Sequence, residues 1–250
     1  SDASSFYAAD PEGFLVGYLG DEPVACISAV RYGDDYGFLG FYIVKPEHRG
    51  KGFGMQLWNA GMKHLEGRNV GLDGVLEQVG NYEKSGFKQV YRNVRYAGVT
   101  AEAAHVLGVI ALDQVPFEQV LAYDSRHVAT PRPEFLKAWL AAEGSKGLAV
   151  VKAGVLKGYG VIRPAREGYK VGPLFADEPI DAERLFSSLI ASVPAGEPVT
   201  IDIPEVNLEA AWLTDMYNMT PTFECVRMYN KLTPDLPLQN IYGVTCLELG

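Results

Sequence analysis

Arg49, Gly50, Lys51, Gly52 and Gly54 set two cations among three alternate glycines. Glycine lets a turn bare consecutive backbone N–H groups, and neighbouring cations add positive charge. The chemistry on offer is the holding of an anion, phosphate above all. The pattern G-x-x-x-x-G-K-[ST] fails, because the lysine lies between the glycines and no Ser or Thr follows to hold magnesium. The dinucleotide pattern G-x-G-x-x-G needs a third glycine where Met55 stands. Asp73 occupies roughly the place of a ribose-binding acid, which keeps that reading as a secondary one.

Two elements must position such a loop. Ahead of it, Phe38 to Val44 is an apolar run rich in aromatic and β-branched residues, which reads as a buried strand stopped by Pro46. Behind it, Met55 to Leu65 is built of good helix formers with apolar residues at Leu57, Trp58, Met62 and Leu65. The order is strand, glycine-rich turn, helix, and the turn lies at the positive end of the helix dipole.

In that setting Arg49-x-x-Gly52-x-Gly54 resembles the acetyl-CoA pyrophosphate loop of the GNAT family of N-acetyltransferases, whose pattern is [QR]-x-x-G-x-[GA]. A second stretch agrees. Asn81-Tyr82-Glu83-Lys84-Ser85-Gly86-Phe87 is similar to the family's asparagine, helix and Tyr-x-x-x-Gly-Phe leading onto a strand, although the alanine and phenylalanine usual ahead of the tyrosine are replaced. The resemblance implies that the main chain of Tyr42, Ile43 and Val44 binds pantetheine and polarises the acetyl carbonyl. It implies that N–H groups of Arg49, Gly50, Lys51, Gly52, Phe53 and Gly54 hold the pyrophosphate, with Asn81 and Tyr82 beside the cofactor. Tyr82 is then the proton donor to the leaving thiolate. Some members carry a glutamate base on the strand before the loop, but Phe38 to Val44 contains no carboxylate. The base is therefore water or a group elsewhere, such as Glu77 or Asp73. His48 and His64 are expected at the surface.

Composition limits the alternatives. Of 250 residues, 48% are hydrophobic and 21% charged, an ordinary globular balance with a sizeable core. A net charge of -9 without any basic block argues against nucleic acid or an anionic membrane as partner. Cys26, Cys225 and Cys246 lie far apart in apolar surroundings without zinc spacing. They read as buried thiols, and no metal is expected. No signal peptide or membrane span is visible, so the expected compartment is cytoplasmic.

Along the chain, Phe14 to Leu19, Val24 to Tyr32 and the strand at Phe38 read as antiparallel neighbours joined by short turns. A further strand and two helices precede the first hairpin in the GNAT pattern. Residues 1–13 stand in their place, so either the beginning is missing or this member lacks it. Val70 to Asp73 is a short strand, and an alternating stretch runs to Tyr96. Val106 to Leu112 is strand-like, and Glu134 to Glu143 is an amphipathic helix.

The order then repeats: strands Leu148 to Ala153, Gly158 to Arg163 and Tyr169 to Phe175, helix Ala182 to Ser192, strand at Val199, helix Asn207 to Met216, strand Phe223 to Tyr229. Setting Gly172 on Gly40, Asp202 on Asp73 and Tyr229 on Tyr96 keeps nearly one register. In that register Asp181, Arg184 and Phe186 replace Arg49, Gly52 and Gly54, so the second copy has lost the cradle.

The expected fold is α/β (α+β), with two GNAT-like mixed, mostly antiparallel sheets flanked by helices. An acetyltransferase domain is expected over 1–98 and a degenerate GNAT-like domain over 99–250. The expected function is transfer of an acetyl group from acetyl-CoA to a primary amine, on a small molecule rather than a protein. A second reading stays open: a non-catalytic acyl-CoA-binding sensor or structural module, which the missing carboxylate and the short N-terminal region support. A homodimer is a further expectation.

Overall fold

The computed structural model describes residues 2–100 and 108–250. Helix α1 (Ala3–Ala9) leads into strands β1 (Phe14–Leu19), β2 (Glu22–Tyr32) and β3 (Tyr36–Val44). Helix α2 (Phe53–His64), β4 (Asn69–Val75), α3 (Val79–Lys84) and β5 (Lys88–Val99) follow. The second half holds β6 (Val109–Ala111), α4 (Phe117–Asp124), α5 (Pro133–Leu140), β7 (Lys146–Lys152), β8 (Val155–Pro164) and β9 (Tyr169–Ala176). It ends with α6 (Pro179–Ala191), β10 (Pro198–Pro204), α7 (Leu208–Met216), β11 (Thr220–Tyr229) and β12 (Ile241–Gly243). Of the strand expected over Val106 to Leu112, residues 106 and 107 lie outside the described residues.

The mixed, mostly antiparallel architecture with flanking helices is present in both halves, but the strands join into one sheet. Its order is β1-β2-β3-β4-β11-β5-β10-β9-β8-β7-β6, with β12 pairing β9. Strand β11, from the second half of the chain, lies between β4 and β5 and is antiparallel to both. Strand β5 lies in turn against β10. Each half thus lends a strand to the other, an exchange that alternation of side chains cannot reveal, because a period of two fixes a face and not a neighbour.

The exchanged strands carry matching ion pairs. Arg227 on β11 stands opposite Asp73 on β4 and binds it through Nε and Nη2 at 2.8 and 2.7 Å. Arg95 on β5 stands opposite Asp202 on β10 and binds it through Nε and Nη2 at 2.7 and 2.9 Å, with Lys170 on the same carboxylate.

Helix α1 has no side-chain N-cap and no sequence signal that announces it. Its stability comes from packing: Phe6 stacks on Phe135 and Trp139 of α5 at 6.4 and 6.1 Å, and Asp2 binds Arg163. Beneath it an aromatic core of Phe135, Trp139, Tyr159 and Phe175 fills the centre of the molecule. No described helix is long and apolar enough to cross a membrane.

Candidate active site

Strand β3 makes the site by leaving its neighbour. It pairs with β4 in parallel only over Tyr36 to Leu39, opposite Asn69 to Leu72. At Phe41 the backbone turns to φ +47°, and the pairing with β2 shifts register between Cys26 and Ser28. Beyond that bulge the main chain of Tyr42, Ile43 and Val44 has no β4 partner, while β4 continues to Val75 paired with β11 on its other edge. A wedge opens between β3 and β4, edged by unpaired peptide groups.

The glycine loop closes the wide end of the wedge. After a 3₁₀ turn over Pro46–His48, Gly50 and Gly52 adopt φ of +73° and +83°, and Gly52 is the N-cap of α2. Only glycine takes such a conformation without strain, which is why the helix starts at Phe53, two residues ahead of its apolar pattern. Among the described residues, no backbone N–H from Gly50 to Met55 donates to a backbone carbonyl, whereas Gln56 N already binds Gly52 O at 3.2 Å. Arg49 Nε donates to Val44 O at 3.0 Å, and neither Arg49 nor Lys51 has an ion pair among the described residues. These free donors and cations at a helix N-terminus fit a diphosphate.

An aromatic row bridges the wedge. The ring of Trp58 on α2 lies 5.5 Å from Tyr42 on β3 and 5.6 Å from Tyr82 on α3. Tyr82 also lies against Gly74 on β4. Burial, and secondarily Tyr42, raise the Tyr82 phenol above the ordinary tyrosine range, so it is protonated at neutral pH. Gly54 sits against the Tyr42 hydroxyl. Asn81 is exposed and spends its amide on Gln78 at 2.9 Å.

The carboxylates named from sequence fare differently. Glu77 is exposed on the 3₁₀ turn Leu76–Gln78. Asp73 is committed to Arg227 and also takes Asn93 Nδ2 at 2.9 Å, so it is neither a free base nor a ribose-binding acid. The histidines are not surface residues: His48 is buried beside Phe53, and His64 Nε2 lies 2.8 Å from Asp10 Oδ2.

Two cavities meet at the bulge, and sequence reading names neither. Both are bounded by Phe41 and Glu248. One, of about 240 Å³, adds Gly40, Asp73, Arg95, Phe223 and Cys225. The other, of about 600 Å³, lies under α1 with Phe6, Tyr7, Phe14, Val16 and Ile27 among its walls. Glu248 arrives from the far end of the chain, and its carbonyl oxygen lies where a Cβ on Gly40 would stand. Any side chain at position 40 would expel it.

The second half repeats the wedge and then fills it. Strand β9 pairs with β10 only over Tyr169 to Val171, and β12 takes the vacated edge, with Ile241 opposite Phe175 and Gly243 opposite Leu174. Val244 N donates to Asp202 O at 2.9 Å from the other side. The cradle is also gone, though not by substitution alone. Only Asp177 and Glu178 connect β9 to α6, and Asp181, Arg184 and Phe186 lie inside that helix rather than in a loop.

Comparison with known proteins agrees with this geometry. Residues 1–87 match the model of the Acetyltransferase (GNAT) family, and residues 120–243 match that of an Acetyltransferase (GNAT) domain. Holothin acyltransferase from Pseudoalteromonas sp. (strain SANK 73390) is 35% identical over 252 residues, covering 100% of this chain and 85% of the relative. A crystal structure from Pyrococcus horikoshii, of a protein assigned as an acetyltransferase, superposes with a TM-score of 0.86 at 25% identity, over 100% of this chain and 84% of that one. A tandem GNAT protein from the clavulanic acid biosynthesis pathway superposes with a TM-score of 0.63 at 13% identity, over 93% and 88% of the two chains. This chain belongs to the GNAT family. It is an acyltransferase built as two GNAT-type halves in tandem.

Proposed function

We propose that the enzyme transfers an acetyl group from acetyl-CoA to the primary amine of a small molecule, working in the first-half wedge. The row of free N–H groups from Gly50 to Met55, set at the end of an open strand edge, carries this reading. The loop would bind the diphosphate and the edge of β3 the pantetheine arm. The bulged backbone around Phe41 is placed to polarise the thioester carbonyl, which is where charge develops during acyl transfer.

The proton steps fall to side chains. An amine with a pKa of about 10.4 must lose a proton before attack, at roughly 4.6 kcal/mol at pH 7. Tyr82, at the mouth of the wedge, would protonate the departing sulfur. Its ordinary pKa already makes that step uphill by about 2 kcal/mol, and burial adds to this, so transfer accompanies rather than precedes cleavage of the carbon–sulfur bond. The related enzyme is named for acyl transfer to holothin, which supports a small-molecule acceptor here. The free thiols of Cys26, Cys225 and Cys246 fit a reducing compartment such as the cytoplasm.

Calorimetric titration with acetyl-CoA, with NAD as control, tests the assignment. Binding is expected for the wild type and loss of binding for Gly52→Glu, which puts a carboxylate into the cradle and a side chain on a backbone at φ +83°. Undiminished affinity in that variant would sink the site.

A further inference from the structure

The two cavities at the bulge hold few charged groups, and nearly all of them are spoken for. In the smaller, Asp73 is bound by Arg227 and Arg95 by Asp202. In the larger, Asp2 is bound by Arg163 at 3.1 Å. Glu248 borders both and has neither a hydrogen bond nor an ion pair to its carboxylate among the described residues. A second polar group is also idle. The hydroxyl of Ser28 is fully buried, lies 3.0 Å from where a Cβ on Gly40 would stand, and has no hydrogen-bond partner among the described residues, and Ser28 borders the larger cavity. A buried hydroxyl without a partner is costly unless something supplies one.

The chain on either side of Glu248 is held, while the Glu248 carboxylate has no hydrogen bond or ion pair among the described residues. Arg132, buried and paired with Asp124, donates to Thr245 Oγ1 at 2.6 Å and to Gly250 O at 2.8 Å. The Tyr32 hydroxyl donates to Leu249 O at 3.1 Å. The held backbone fixes where the carboxylate starts, and its unpaired oxygens are free to accept a proton. The walls of the larger cavity are otherwise aromatic and aliphatic, and its volume suits a drug-sized ligand.

We propose that the cavity under α1 takes the acceptor, a primary amine on an apolar, ring-bearing body, and that Glu248 receives the proton its nitrogen gives up. This rests on the acetyl-CoA reading above. The acceptor enters as the neutral amine, its ammonium proton already released to water; the nitrogen forms its bond to the acetyl carbon, passes one proton to the Glu248 carboxylate, and the carbon–sulfur bond breaks. The departing sulfur takes a proton from Tyr82. Both residues return to their starting states by exchange with water. Ser28 meets a polar group of the bound acceptor.

The test uses the whole chain with acetyl-CoA and two probe amines, tryptamine and ethanolamine, following thiol release across pH. The wild type is expected to prefer tryptamine by at least about tenfold in kcat/KM, as aromatic burial would give. Glu248→Gln is expected to lower kcat about a hundredfold, to remove the acid limb of the kcat profile, and to leave acetyl-CoA affinity unchanged. Glu248→Asp is expected to restore that limb. Val16→Trp, at a half-exposed position that folding tolerates, is expected to raise KM for tryptamine alone. Wild type that binds acetyl-CoA but prefers ethanolamine overturns the acceptor class. Glu248→Gln with an unchanged kcat and pH profile overturns the proton route. Either result leaves the acetyl-CoA reading standing, whereas failure to bind acetyl-CoA removes that reading and this one together.

Discussion

Arg227 and Asp73 are 154 positions apart in the chain and directly opposite in the sheet, joined by two hydrogen bonds of 2.7 and 2.8 Å. Their side chains are 6% and 1% exposed, so this is a buried pair. Arg95 and Asp202 stand in the same relation across the other exchanged strand. Strand exchange and charge pairing are therefore one arrangement, made twice.

Removing one member of the buried pair leaves a charge without compensation. Arg227→Met is expected to lower stability by about 3–5 kcal/mol, read as the denaturant midpoint. The double variant Arg227→Met/Asp73→Leu is expected to recover most of that loss, since a matched apolar pair leaves nothing unsatisfied. A double variant no better than the single one would place the cost in packing rather than charge.

Tyr82→Phe keeps the tilted ring contact with Trp58 and deletes only the hydroxyl. Turnover is expected to fall about a hundredfold with little change in acetyl-CoA affinity. The sign of the pH effect follows from burial, which raises the phenol, followed by the neighbouring Tyr42. The donor form persists until pH passes a value above the ordinary 10.0, so the alkaline fall in wild-type kcat is expected above that value. A fall near neutrality would assign the proton to another group.

Asp10 ties three elements together. Its carboxylate accepts from Glu12 N at 3.1 Å and Arg31 N at 3.0 Å and lies 2.8 Å from His64 Nε2. Burial alone would raise its pKa, yet the hydrogen bonds from His64 and the backbone leave it lowered. Stability from such a group is complete above the unfolded carboxylate range and is lost as pH falls through the folded value. Asp10→Asn is therefore expected to be less stable than wild type at neutral pH, by about 1–2 kcal/mol. The gap should narrow on acidification in denaturant melts, and a gap that stayed constant with pH would exclude ionisation as its source.

What the sequence discloses follows from what is local. The glycine loop and Tyr82 are legible because a turn, a helix start and a short motif are written in adjacent residues. Most strands of the repeat are legible for the same reason. Asn207 is taken there as the first residue of a helix and turns out to cap α7, accepting from Ala210 N at 3.1 Å. Helix α1 and helix α4 carry no such signal and owe their form to packing. The bulge at Phe41 is hidden, since nothing marks a phenylalanine for positive φ. Glu248 is hidden more deeply: its place beside Gly40 depends on the path of β12 and on Arg132, both remote in sequence from the bulge it borders.

A tandem repeat ordinarily doubles valency. In this molecule β12 occupies the second wedge as a ligand would, and the same stretch of chain runs on to set Glu248 beside the first. Vacating the second wedge would withdraw a wall of the first, so on the function proposed above duplication yields a single seat, with the chain itself as the occupant of the spare one.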